Sequence, residues 1–235
     1  MEPKPSILAE ITVAPHHTLV FLVRHAETEW NKEERFQGHV NVPLSSVGRR
    51  QAESLGDWLG SLALPFAALY TSDLGRALQT SEAIGISIGL SPVAEPAMRE
   101  IHCGEWQGLL ASEIADRHPE DLNAWRTVVD SCAMPGGESL VEVQARIYDF
   151  YQEAATRHAG QVIILVTHGA ALTALVTAII KADLGELWRE RRLRHDNTGV
   201  SVVLQDLNLS EGRLLLSNSV QHLESRTALS NGWPA

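Results

Sequence analysis

Three places in this 235-residue chain set cationic or imidazole side chains directly after a short apolar run. Leu19 to Val23 ends in Arg24-His25. Phe66 to Tyr70 ends in Thr71-Ser72-Asp73, with Arg76 just beyond, and Val162 to Val166 ends in Thr167-His168-Gly169. Arginine offers a planar fork for carboxylate or phosphate, and histidine a nucleophile or proton carrier near neutral pH. If the three runs are neighbouring strands, two arginines and two histidines converge, and helix N-termini near Leu74 and Ala170 would add N–H donors. That inventory is a phosphate pocket. A metal site competes, since ten histidines are available. However, no HExxH, paired CxxC or Asp-rich loop occurs, and arginine beside a ligand histidine would repel a cation, so no metal or other cofactor is expected.

The apolar runs are rich in β-branched and aromatic residues, as buried strands are, and each leads into a helical pattern. Ser45 can cap a helix from Ser46 in which Gln51/Ala52, Leu55, Trp58/Leu59 and Leu62 share one face. A helix after Asp73 turns Leu74, Ala77, Leu78 and Ile84 inward, and a short edge strand ends by Ala94, with Pro92 suited to an edge. From Glu95 to Gly137 the pattern loosens into helical pieces around Ala111 to Arg117 and Pro119 to Asp130. Such a segment covers a site rather than building a core, and it would set substrate choice through Trp106 and Trp125. Glu138 to His158 is amphipathic, and strands over Gly199 to Leu204 and Arg213 to Ser217 finish the chain. Val162 to Ile180 approaches membrane-spanning length, but His168-Gly169 interrupts it, so a strand, a turn and a buried helix account for it better. Strands alternating with helices predict one α/β unit with a mainly parallel sheet. Residues 1–17 read as a tail and 18–235 as a single domain.

A net charge of −10 gives no global attraction for nucleic acid, so an anionic ligand must be captured by local cations. Cys103 and Cys132 are too few for a disulfide framework and fit a reducing cytoplasm, and the N-terminus lacks a signal peptide's basic start and apolar core. The run Trp188 to Arg194 is locally basic and reads as a solvated helix face, with a rim that attracts phosphorylated substrates as the lesser alternative.

Four motifs, in order, resemble the histidine phosphatase superfamily, which includes the cofactor-dependent phosphoglycerate mutases. They are Arg24-His25-Ala26-Glu27-Thr28 with Trp30-Asn31 and Phe36-Gln37-Gly38-His39; Ser72-Asp73-Leu74-Gly75-Arg76-Ala77; Arg99-Glu100-Ile101-His102-Cys103-Gly104-Glu105-Trp106-Gln107-Gly108; and Val166-Thr167-His168-Gly169. Together they span about Val20 to Val220 and are most similar to the bacterial broad-specificity phosphatase branch. The resemblance implies a three-layer α/β/α sandwich with a mainly parallel central sheet and a partly helical covering segment over 95–137.

It also implies roles. His25 would be the nucleophile that forms a phosphohistidine, Arg24, Arg76 and His168 would hold the phosphoryl oxygens, and Glu100 would be the acid and then the base. Asn31, Gln37 and the backbone N–H of Gly169 would bind phosphate. By spacing alone Glu95 and Glu105 serve as well as Glu100; the motif selects Glu100. The implied activity is metal-independent hydrolysis of a small phosphorylated metabolite, in a cytoplasmic protein with no nucleic-acid or membrane partner that could form a homo-oligomer. A phosphoglycerate mutase and a non-catalytic phospholigand-binding module are the alternatives. Ala26 departs from the glycine more frequent after the histidine, and His102 and Cys103 are not needed by the mechanism.

Overall fold

The computed structural model describes residues 13–223, so residues 1–12 of the expected tail lie outside the described residues. Six strands form one sheet in the order β3-β2-β4-β1-β5-β6, with β1 at His17–Arg24, β2 at Phe66–Thr71, β3 at Val93–Ala94, β4 at Val162–Thr167, β5 at Val200–Asp206 and β6 at Glu211–Ser219. The first four strands are mutually parallel, and β5 and β6 run antiparallel to their neighbours. Because β1 and β4 are central, every residue from Leu19 to Val23 and from Ile163 to Val166 is fully buried.

Alternation along those strands sorts their side chains between two cores. Val20, Leu22, Ile163 and Leu165 face α6 (Leu140–Arg157) and α7 (Gly169–Ile179). Leu19, Phe21, Val23, Ile164 and Val166 face α2 (Ser46–Ser61) and α3 (Gly75–Ile88). The layers are therefore helix, sheet, helix, as expected. The covering segment packs on the first core through short 3-10 turns, α4 (Ala111–Arg117) and α5 (Pro119–Thr127). The second of these helices ends three residues earlier than the sequence suggested. Ser139 and Glu142 form a reciprocal cap that starts α6, and Gly89 closes α3 in the left-handed conformation.

Two expectations need correction. Trp106 does not line a pocket; it is fully buried, edge-on to Phe36 and Trp125. The basic run is helical only to Arg189, the end of α8 (Leu184–Arg189). Arg191 and Leu193 then take positive φ values, 55° and 60°, which stop the helix, and Arg189, Arg191 and Arg192 stay exposed at the edge of a recess.

The loop that leaves β1 is fastened to the start of α2. Ser45 Oγ accepts from Gly48 N–H and donates to Glu27 Oε1 at 2.7 Å, while Gln51 Oε1 accepts from Glu27 N–H at 3.0 Å. A Cβ on Gly48 would lie 2.0 Å from the Glu27 carbonyl oxygen. Gly48→Ala is therefore expected to destabilise the fold by about 1–3 kcal/mol through overpacking. A lowered urea midpoint at unchanged slope would show this, and an unmoved midpoint would contradict the close packing.

Candidate active site

The C-terminal ends of β1 and β4 deliver His25 and His168 one residue past each strand, with ring centroids 5.0 Å apart. The His25 N–H is pinned to the Thr167 carbonyl at 2.9 Å. His25 Nδ1 sits 2.7 Å from the Ala26 carbonyl oxygen, which can only accept, so Nδ1 carries the proton and Nε2 holds the lone pair. Arg76, on the first turn of α3, directs its Nε–H at two acceptors at once, His25 Nε2 at 3.3 Å and His168 Nδ1 at 3.2 Å. His168 is thereby fixed as the opposite tautomer, with its proton on Nε2. The Arg76 fork is completed by the carbonyls of Val40 at 3.0 Å and Gly38 at 2.8 Å.

Burial dominates the electrostatics. Arg24, His25, Arg76, Glu100 and His168 are all buried. Burial lowers both guanidinium groups to about 10, which leaves them charged at neutral pH. Burial, and then the charges of Arg76 and Arg24, hold His25 well below the usual imidazole range; burial and Arg76 do the same to His168. Both rings are neutral at pH 7. Arg24 spends one nitrogen on the His195 carbonyl at 2.6 Å, while its Nε and the His168 Nε2 are buried donors without a partner among the described residues. Two such donors beside a neutral imidazole lone pair suit the oxygens of a phosphoryl group.

The recess beside Arg24 and His25 holds about 370 Å3 of space, open solvent included, and Asn31, Gln37 and Glu100 line it with Arg24, His25 and Arg76. Thr28 organises the two amides: its Oγ lies 3.0 Å from Asn31 Oδ1 and 3.0 Å from Gln37 Oε1. With those oxygens used, each amide retains its NH2 as the group left for an anion.

Glu100 does more than border the recess. Its carboxylate caps α7, accepting from Ala170 N at 3.2 Å and Ala171 N at 3.1 Å, and also from Ile101 N at 3.0 Å. The expected anion site at that helix N-terminus is thus filled by the protein's own acid. The N-terminus of α3 is likewise used internally: Gly75 N donates to Asn41 Oδ1 at 2.7 Å, and Leu74 N to Ser72 Oγ at 3.3 Å. Gly169 lines a neighbouring recess and not this one. Asp73, at the junction after β2, is paired with Arg99, and the carboxylate residues that line the recess with the cations are Glu34 and Glu100.

Three contributors were invisible in the sequence. Arg146 of α6 donates to the carbonyls of Ala97, Arg99 and Glu100 at 2.8, 2.7 and 2.9 Å and pairs with Glu138, so it sets the backbone from which Glu100 projects. Asn197 Nδ2 donates to the His25 carbonyl at 3.0 Å, and His195 supplies the acceptor for Arg24. Both precede β5, whose antiparallel register pairs Val200 with Val23, so this loop must abut the end of β1. Among the described residues, the side chains close enough to share a metal ion are His16, His17 and Asp206, at the opposite end of β1 from His25.

The buried imidazoles make stability pH-dependent. His195 and His222 are lowered to about 4 by burial, and His25 and His168 well below their ordinary value. Between about pH 6.5 and these depressed values the unfolded chain binds protons that the folded chain does not. Stability present above pH 6.5 is therefore lost as the pH falls, by up to about 1.4 kcal/mol per pH unit for each histidine. Urea midpoints should drop between about pH 7.5 and 5.5; a flat series would contradict the burial of neutral rings.

Residues 20–216 match the histidine phosphatase superfamily, branch 1. A metal-independent phosphoserine phosphatase of Arabidopsis thaliana is 36% identical, over 74% of this chain and 74% of its own. A probable phosphoglycerate mutase, GpmB, of Klebsiella pneumoniae is 35% identical, over 78% of this chain and 83% of its own. The solved structure of a mycobacterial glucosyl-3-phosphoglycerate phosphatase, complexed with VO3, superposes with a TM-score of 0.75 at 29% identity, covering 86% of this chain and 99% of that one. Taken with the paired arginines and histidines at the strand ends, these matches establish that the chain belongs to the histidine phosphatase superfamily, branch 1.

Proposed function

We propose that the chain hydrolyses small phosphomonoesters without a metal, through a phosphohistidine on His25. One observation carries this reading: a buried, neutral His25 whose Nε2 lone pair is held by the Arg76 Nε–H, amid donors suited to phosphoryl oxygens. On binding, Arg76 exchanges the imidazole for a phosphoryl oxygen, and Arg24 Nε and His168 Nε2–H take others. The Nε2 lone pair attacks phosphorus as the ester P–O bond breaks, and Glu100 gives the leaving oxygen a proton. Glu100, now a carboxylate, takes a proton from water as its oxygen attacks phosphorus and the P–N bond breaks. Inorganic phosphate leaves and the neutral imidazole returns, so the proton and electron balance closes without a redox partner or metal.

The relatives named as phosphatases support hydrolysis over transfer, and the presence of both arginines, both histidines and the acid supports turnover over binding alone. The relative named a probable phosphoglycerate mutase favours a second reading, return of the phosphoryl group to a sugar acid. Measured with 3-phosphoglycerate, phosphate release should outrun isomerisation, and the reverse would favour the mutase. A cytoplasmic setting belongs to the same proposal. It is supported by two unpaired cysteines, one of them buried, and by the lack among the described residues of any helix long and apolar enough to cross a membrane.

In EDTA, p-nitrophenyl phosphate should be hydrolysed, and His25→Ala should lower kcat by at least about 10^3-fold with the fold retained. Activity that survives the substitution would remove His25 from the chemistry. Glu100→Gln should lower kcat/KM, which reports transfer to His25 and not the later attack of water, by about 10^2- to 10^4-fold on an alkyl phosphate, and far less on p-nitrophenyl phosphate, whose leaving group departs unprotonated. Equal losses on both esters would argue against Glu100 as the acid.

A further inference from the structure

Beside the phosphate recess lies a larger one of about 1010 Å3. Residues adjacent or close in the chain line the two or hold their lining groups. Phe36 faces the larger and Gln37 the smaller; Gly169 faces the larger while His168, before it, holds Arg76; and His195 lines the larger while its carbonyl receives Arg24.

The floor of the larger recess is apolar and aromatic, made by Phe36, Ile114, Leu122, Trp125 and Trp188. Trp125 stands edge-on to both Trp106 and Trp188, with centroids at 5.8 and 6.1 Å, so the floor is braced by packed rings. Five arginines form the rim, Arg126, Arg189, Arg191, Arg192 and Arg194, and among the described residues no acidic side chain lines the recess. In a chain of net charge −10, that concentration of one sign runs against the whole molecule. The side chains of Arg126, Arg189 and Arg191 make no hydrogen bond or ion pair with any described residue, and Arg194 is lowered by burial and then by the charge of Arg191, with Asp196 partly offsetting it. A bound anion would relieve that repulsion.

The named substrate of the plant relative suits this recess poorly. The leaving group of phosphoserine is small and zwitterionic; it would leave the aromatic floor uncovered and set an ammonium against the arginines.

We propose that this recess receives the leaving group of the substrate, and that the substrate is a phosphomonoester of an aromatic or apolar alcohol bearing a second anionic group bound by the arginine rim. The proposal rests on the phosphatase reading above. Arg126 and Arg191 are then residues that determine specificity, on a rim brought together from α5 and the loop after α8.

The test compares kcat/KM of the full chain for phosphoserine, phenyl phosphate, 4-carboxyphenyl phosphate and 4-phosphonophenyl phosphate. The last two distinguish a carboxylate from a second phosphate-like group. Phenyl phosphate should exceed phosphoserine, and at least one doubly anionic ester should exceed phenyl phosphate by about tenfold or more. The pair Arg126→Gln with Arg191→Asn, the latter chosen because asparagine tolerates a positive φ, should abolish that last advantage through KM. Trp125→Ala should weaken all three aryl esters and spare phosphoserine, which gives a second handle if the arginine variant folds poorly. Phosphoserine as the best substrate, or equal losses on singly and doubly anionic esters, would overturn the pocket assignment alone. Hydrolysis of none of the four would overturn the phosphatase reading and this proposal with it.

Discussion

A buried guanidinium with no carboxylate partner sets the terms for the rest of this molecule. Arg76 is almost fully buried, and its N–H groups are answered by two backbone carbonyls and two imidazole nitrogens. Desolvating such a cation is unfavourable unless its donors are satisfied, so the loop bearing Gly38 and Val40 and the ends of β1 and β4 must all be in place around it. In return, its charge reinforces burial in keeping both rings neutral, and its single shared N–H selects opposite tautomers for them. One ring then holds a lone pair and the other an N–H, with their centroids 5.0 Å apart.

The sheet makes this arrangement possible. Parallel pairing of β1, β4 and β2 brings three chain segments out at one edge, where Arg24-His25, His168 and the start of α3 meet. Antiparallel β5 then returns its leading loop to the same edge, so that Asn197 and His195 hold the backbone and the second arginine. Glu100 arrives from the covering segment, fastened below by Arg146 and above by the N-terminus of α7. Arg24 and His25 from the sheet, Arg76 from a helix and Glu100 from the covering segment are each held by a group outside the motif that contains them.

That division explains what could be read from the sequence. Strands buried on both faces must be continuously apolar, so β1 and β4 announced themselves, and a cation or imidazole ending such a run was conspicuous. The helices declared themselves by periodicity and, for α2, by the cap at Ser45, whereas the Ser139 cap of α6 emerged only in the structure. Contacts to backbone leave no such trace: nothing in the pattern around Arg146 says that it will collect three carbonyls from the covering segment. Helix N-termini near Leu74 and Ala170 were legible as anion sites in general, but not that Ser72, Asn41 and Glu100 would occupy them. The basic run was misread for a related reason, since the positive φ values at Arg191 and Leu193 have no signature in residue type. Trp106 shows the remaining ambiguity, because a tryptophan in a covering segment can floor a pocket or fill the core beneath it.

The central claim is atom-specific: with the Nδ1 proton held by the Ala26 carbonyl, His25, the imidazole that lines the phosphate recess, would attack phosphorus through Nε2. Rapid quenching of a turnover mixture in alkali, followed by peptide mapping and 31P NMR of the modified residue, tests it directly. The account predicts an acid-labile phosphoramidate on His25 with phosphorus on Nε2. Phosphorus on Nδ1 of His25 or on His168, or turnover at full rate with no phosphohistidine at any quench time, would contradict it.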